Sequence, residues 1–142
     1  MCVYTRFVAG ECYCTAMRTA TRRVTAIYDD ALAPVGVNVA QWALLRNLAR
    51  SPHRHVSIQE LADSADLERS TASRNVRVLA RLGLVRIGAS EDDRRISAVE
   101  LTDQALSVLE RGEPLWLRAQ ERVEELLGAR EAGALRSLLH SL

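Results

Sequence analysis

The sequence predicts a mostly α-helical chain with a small β-wing: a winged helix-turn-helix bracketed by terminal helices. Three observations carry that expectation. Apolar residues recur at helical spacing along most of the 142 residues. Residues 57–82 hold a helix-capping signature, a short helical pattern, a tight turn and a second, more polar helical pattern. A charged loop, Ser90-Glu-Asp-Asp-Arg-Arg-Ile-Ser, then separates two short strand-like stretches.

Residues 1–11 show no clear period and read as an arm. Over 14–32, Met17, Ala20, Val24, Ile27, Tyr28 and Ala31 fall on one face of an amphipathic helix, which Ala33-Pro34-Val35-Gly36 ends. Asn38 suits the cap of a second helix carrying Trp42, Leu45 and Leu48. That helix stops before Ser51-Pro52, because a residue preceding proline is pushed out of the helical region.

Ser57 and Glu60 form a Ser-x-x-Glu capping box for a third helix, with Ile58, Leu61, Ala62 and Ala65 inward. A turn at Asp66-Leu67 leads to a fourth helix, about 68–82, with Ala72, Val76, Leu79 and Leu82 expected inward. Gly83 suits the left-handed position past its end. Arg69, Ser70, Thr71, Ser73, Arg74 and Arg77 then face outward.

Residues 84–87 and 96–101 read as two strands around the charged loop. Thr102 caps a long helix bearing Leu106, Leu109, Trp116, Ala119, Val123 and Leu126. Gly112 and Pro114 lie inside it, and Pro114 is expected to kink or divide it. After Gly128 a last helix carries Leu135, Leu138, Leu139 and Leu142. No internal repeat or low-complexity linker interrupts the chain, so one domain over 1–142 is expected.

Hydrophobic residues make up 48%, enough for a real core and too many for a disordered chain. No apolar run approaches the ~20 residues needed to span a bilayer. The opening residues lack the charged start and apolar stretch of a secretion signal, which makes the cytoplasm the default compartment. The net charge of +1 is uninformative, but its distribution is not. Residues 68–95 hold seven arginines against four acids, whereas 103–142 hold seven acids against five arginines. The positive field therefore sits on the helix-turn-helix and hairpin, where a phosphate backbone would lie. All nineteen basic residues are arginine, a side chain suited to two-point contacts with guanine and phosphate. Double-stranded DNA is the expected partner.

The terminal helices carry more apolar surface than the small reading lobe can cover. Packing the first helix against the last two, within and between chains, would bury it. A two-fold dimer places two reading helices one duplex turn apart, about 34 Å, and fits a pseudo-palindromic site. The competing arrangement is a monomer whose terminal helices complete one core.

The whole arrangement resembles the MarR (multiple antibiotic resistance regulator) family of winged-helix regulators, over nearly the full chain. The most specific parts are Arg69-Ser-Thr-Ala-Ser-Arg-Asn-Val and Asp92-Asp-Arg-Arg-Ile, followed by Val99-Glu-Leu-Thr and a long helix. The resemblance implies dimerisation helices at 14–36 and 103–142 around a DNA-binding lobe at 38–102. It also implies that Arg69, Ser70, Thr71, Ser73, Arg74 and Arg77 supply base and phosphate contacts in the major groove. In the wing it implies Arg94 as a minor-groove probe, braced by Asp92 or Asp93, with Arg95 near phosphate. Each arginine also has a plainer reading, as part of a solvated face or a surface ion-pair cluster. Repression is the family's usual mode, with release by an oxidant or a small effector. Family members often bind small aromatic effectors between the dimer region and the reading head, and the sequence identifies no such ligand.

Cys2, Cys12 and Cys14 all precede the expected core. Cys12-Tyr-Cys14 falls at the start of the first helix, where the helix N-terminus favours thiolate. Three readings stay open: a redox switch, as in a branch of the family with a cysteine near this place; inert cytosolic thiols; or metal binding, for which no nearby His completes a set. A Cys12–Cys14 disulfide is awkward if both residues are helical. His53-Arg54-His55 reads as an exposed loop, His140 as solvent-facing, and Trp42 and Trp116 as core or interface. No phosphate loop, dinucleotide fingerprint, zinc-protease motif or nucleophile–base set is present, so no enzyme and no cofactor are expected. The rival function is a winged-helix protein-interaction module, which would show no salt-dependent binding to a specific duplex.

Overall fold

The computed structural model describes residues 12–53, 55–89 and 97–142. Helix α1 spans Tyr13–Leu32, and a 3₁₀ turn at Ala33–Val35 closes it, with Gly36 left-handed at φ 78°. Helix α2 (Val39–Arg50) starts at Asn38 in a full capping box: Asn38 Oδ1 accepts from the Gln41 amide, and Gln41 Oε1 accepts from the Asn38 amide. Its end falls at Ser51, before Pro52, as expected.

Strand β1 (Val56–Ser57) leads into α3 (Ile58–Ser64), opened by the reciprocal Ser57–Glu60 cap. The Ser57 amide, then its hydroxyl, hold the Glu60 carboxyl below the usual carboxylate range. The stabilisation this cap contributes is therefore complete at neutral pH and fades as pH falls through that lowered value. Helix α4 (Arg69–Arg81) follows, then strands β2 (Val85–Ala89) and β3 (Ser97–Leu101). Helices α5 (Asp103–Leu127) and α6 (Ala129–His140) complete the chain.

The sheet has three antiparallel strands in the order β1-β3-β2, with Val56 opposite Val99 and Arg86 opposite Glu100. The sequence suggested two strands; the third, β1, is too short to show a period. It pairs because Val56 is buried against the core. That core joins Leu44, Leu45, Leu61, Val76, Leu79 and Val99 from α2, α3, α4 and β3. Helix α1 lies along α5, and α6 folds back onto α5.

Two further expectations are corrected. Leu82 is 44% exposed and not inward. It is the C-cap of α4, and the left-handed Gly83 (φ 75°) turns the chain so that Leu84 and Val85 fill the core instead. Pro114 does not divide the long helix, which runs as one element from Asp103 to Leu127. Packing on both sides of the proline holds it together. Gly112 lies against the buried Trp42 ring, and the Tyr28 hydroxyl donates to Gln120 Oε1 six residues beyond Pro114. Burial pushes the Tyr28 hydroxyl's pKa above its ordinary value, with Glu124 nearby raising it and Arg136 lowering it.

A Cβ on Gly112 would lie 2.7 Å from Trp42 Cη2 and closer still to Cζ3. Gly112→Ala should therefore lower stability by about 1–3 kcal/mol through overpacking, although alanine is the better helix former. A melting temperature equal to or above the parent's would show that the two helices yield without cost.

Candidate DNA interface

The reading helix is placed by local backbone chemistry at both ends. At its entrance, α3 closes with the Leu67 amide donating to the Ala62 carbonyl at 2.9 Å. Asp66 takes the left-handed conformation at φ 51°, among the few non-glycine residues that tolerate it. The Asn47 side-chain amide donates to the Ser64 carbonyl at 3.0 Å, tying α2 to the end of α3. At the exit, the Leu84 amide reaches the Leu79 carbonyl, and Thr102 Oγ1 donates to the Gly83 carbonyl at 2.7 Å. The last turn of α4 is thus fixed to the base of the wing.

Ala72, Val76 and Leu79 bury one face of α4. At about 100° per residue the opposite face carries Ser70, Arg74, Arg77 and Arg81 in one stripe. Arg69, Ser70, Arg74 and Arg77 are exposed, while Thr71 and Ser73 sit half-buried at its flanks. Arg81 is exposed on the same stripe and was absent from the sequence-based set; helical phase alone places it there. Among the described residues no carboxylate pairs with Arg69, Arg74, Arg77 or Arg81. By contrast, Arg122 pairs with Glu125 and Arg136 with Glu124 on the terminal helices. Toward the described residues the positive charge on α4 is therefore uncommitted.

Across the wing's base, Arg86 Nη2 lies 3.7 Å from Glu100 Oε1. Asp92, Asp93, Arg94 and Arg95 lie outside the described residues, as do Arg54 and Cys2. Cys12 is the N-cap of α1, with extended backbone, and both Cys12 and Cys14 are exposed. The Thr15 hydroxyl, then its backbone amide, lower the Cys12 thiol's pKa below the ordinary value. His53, His55 and His140 are exposed, Trp42 is in the core and Trp116 is half-buried. Among the described residues no three His, Cys, Asp or Glu side chains gather as a metal set, and no helix is long and apolar enough to cross a membrane.

A MarR family model matches residues 35–96, from the turn before α2 into the wing. The M. tuberculosis transcriptional regulator MosR in complex with DNA is 32% identical, with TM-score 0.74 over 92% of this chain and 98% of that one. The transcriptional repressor CouR bound to a 23-mer DNA duplex is 30% identical, with TM-score 0.80 over 92% of each chain. The chain belongs to the MarR family. It is a DNA-binding transcriptional regulator, and its family and structural neighbours are regulators, not enzymes. CouR bound to p-coumaroyl-CoA aligns at 26% identity, with TM-score 0.83 over 97% of this chain and 96% of that one.

In this MarR-family chain the entrance to the reading helix depends on one strained residue. Asp66→Gly should keep or slightly raise the melting temperature, whereas Asp66→Val, β-branched at positive φ, should cost about 1–2 kcal/mol. Equal melting temperatures for the two variants would show that the turn can refold around either.

Proposed function

We propose that this chain is a homodimeric repressor that binds a pseudo-palindromic operator and releases it on oxidation or on binding a small effector. The observation that carries DNA reading is the uncommitted stripe on α4. Arg69, Ser70 and Arg74, at the N-terminal end, reach base edges and phosphate, with Thr71 and Ser73 at the flanks of the same contact. Arg77 grips the backbone. The wing residues Asp93, Arg94 and Arg95 enter this reading from the sequence alone, Arg94 as the minor-groove probe.

The dimer is supported by apolar surface left open on one chain. Leu126, Leu135, Leu138, Leu139 and Leu142 are all at least 41% exposed on α5, α6 and the residues after them. Burying one leucine contributes about 1.5–3 kcal/mol, so this surface can hold two copies together. The division into dimerisation helices at 14–36 and 103–142 and a reading lobe at 38–102 follows.

Oxidant release is supported by Cys12, exposed and shifted toward thiolate at the α1 N-terminus. Cys12 is the cap of the helix and Cys14 lies in its first turn, so the two are not both helical; Cys14, Cys2 or a second chain are the alternative partners. Two thiols lose two protons and two electrons to a peroxide, which leaves as two waters, and one disulfide forms. A small effector is supported by the groove between α2 and α5, lined by Trp42, Arg46 and Trp116, and by the p-coumaroyl-CoA held by the similar CouR.

Selection of bound duplexes from a random pool, with and without mild peroxide, tests the reading. A two-fold symmetric site should emerge and be lost on oxidation; Cys12→Ser should keep the site and lose the response. Arg74→Ala and Arg94→Ala should each weaken operator binding about tenfold or more in a salt-controlled titration while the dimer stays folded. Emergence of no preferred duplex, or a monomer at micromolar concentration, would overturn the reading. A parent response that survives Cys12→Ser, Cys14→Ser and Cys2→Ser alike would remove the thiol switch.

A further inference from the structure

Two polar fasteners cross from the α1–α5 arm to the reading lobe. Asp29, near the end of α1, accepts a hydrogen bond from the Val39 amide at 2.7 Å. Val39 is the first residue of α2, and its amide has no acceptor inside that helix. The Asn38–Gln41 box satisfies the Asn38 and Gln41 amides, and the Asp29 carboxylate adds to that cap from another helix. Charge-assisted bonds of this kind at a helix N-terminus are among the stronger polar contacts. Between the two partners the chain reverses through Ala33–Val35 and the left-handed Gly36, where a Cβ would meet nothing within 4 Å. Leu32 and Val37 on either side of the turn are buried in the core, and Asp29 adds a polar bond that spans it.

The second fastener lies further along α2. The Arg46 guanidinium stacks over the Trp116 ring, 4.1 Å from its centroid, and Nη2 lies 3.7 Å from Glu113 Oε1. Both partners belong to α5. Arg46 is on α2 and outside the α4 stripe, so with no effector present it acts on recognition through geometry.

We infer that Asp29, through the Val39 amide, and Arg46, through Trp116 and Glu113, are positioning residues that fix the reading lobe's angle to the dimerisation helices. The angle sets the separation of the two reading helices, and hence the half-site spacing the dimer accepts. One base pair turns a half-site by roughly 34° about the duplex and moves it about 3.4 Å, so a loosened lobe relaxes the penalty for shifted spacing. This inference rests on the two-headed reading above, and its test separates the two.

Asp29→Ala, Asp29→Asn and Arg46→Met are compared with the parent on operator duplexes of optimal spacing and of spacing changed by one base pair. Asp29→Ala and Arg46→Met should lower the parent's discrimination between these duplexes by about tenfold, leaving the slope of affinity against salt unchanged. Asp29→Asn, which keeps the acceptor oxygen, should recover it to within about threefold. A second reading uses no DNA: spin labels on unnatural residues at Arg81 and Arg118, diluted into unlabelled protein, report the lobe angle directly. A broadened distance distribution in Asp29→Ala and Arg46→Met supports the inference. An unchanged distribution, an Asp29→Asn variant that behaves like Asp29→Ala, or discrimination that falls only in step with melting temperature overturns it. A parent indifferent to spacing sinks the two-headed reading, and the label distances then decide the lobe angle alone.

Discussion

The close approach of α2 to α5 at Trp42 and Gly112 governs how this molecule is put together. Trp42 is 1% exposed and its six-membered ring rests on Gly112, where even a methyl group would collide. The contact joins the lobe that presents α4 to the long helix that carries the proposed dimer surface. It carries a cost: among the described residues Trp42 Nε1 is buried without a hydrogen-bond partner. An unpaired buried donor costs about 1–3 kcal/mol, which burial of the ring itself can offset. The Trp42 ring fills the space that the missing side chain of Gly112 leaves.

From that anchor the reading helix is reached through short-range chemistry. Asn47 on α2 holds the end of α3, Asp66 makes the turn, and Gly83 with Thr102 returns the chain from α4 to the sheet and α5. Each joint is a short polar side chain donating to a backbone carbonyl or a left-handed residue, and none requires a large side chain at the surface. The outward face of α4 is therefore free to vary in chemistry without disturbing its own placement. The exposed stripe and the buried support are carried by different residues of the same thirteen-residue helix.

Features set by neighbours in sequence were legible in advance. Asn38, Ser57 with Glu60, Gly83 and Thr102 act within three or four residues, and each sits at the helix end its chemistry suggests. The outward residues of α4 followed from its period. Features set by partners distant in the chain were not legible. Val56–Ser57 is a strand because β3 lies beside it. Leu82 faces solvent because the helix ends at it and the next residues take its place in the core. Pro114 leaves α5 whole because Trp42 and Tyr28 grip the helix on either side. Arg81 is the exception: it falls on the exposed stripe by phase, the inward Ala72, Val76 and Leu79 were already legible, and it was simply left out of the sequence-based set.

Charge completes the division of labour. A net charge of +1 gives the chain as a whole little attraction to DNA, so the uneven distribution of that charge matters more than its total. The terminal helices neutralise part of their charge internally, through Arg136 with Glu124 and Arg122 with Glu125. The α4 arginines have no such partners among the described residues, and each can exchange its water for phosphate or guanine without first breaking an ion pair. Weak global attraction with strong local contacts favours discrimination over tight non-specific binding, because non-specific affinity rises with every phosphate neutralised.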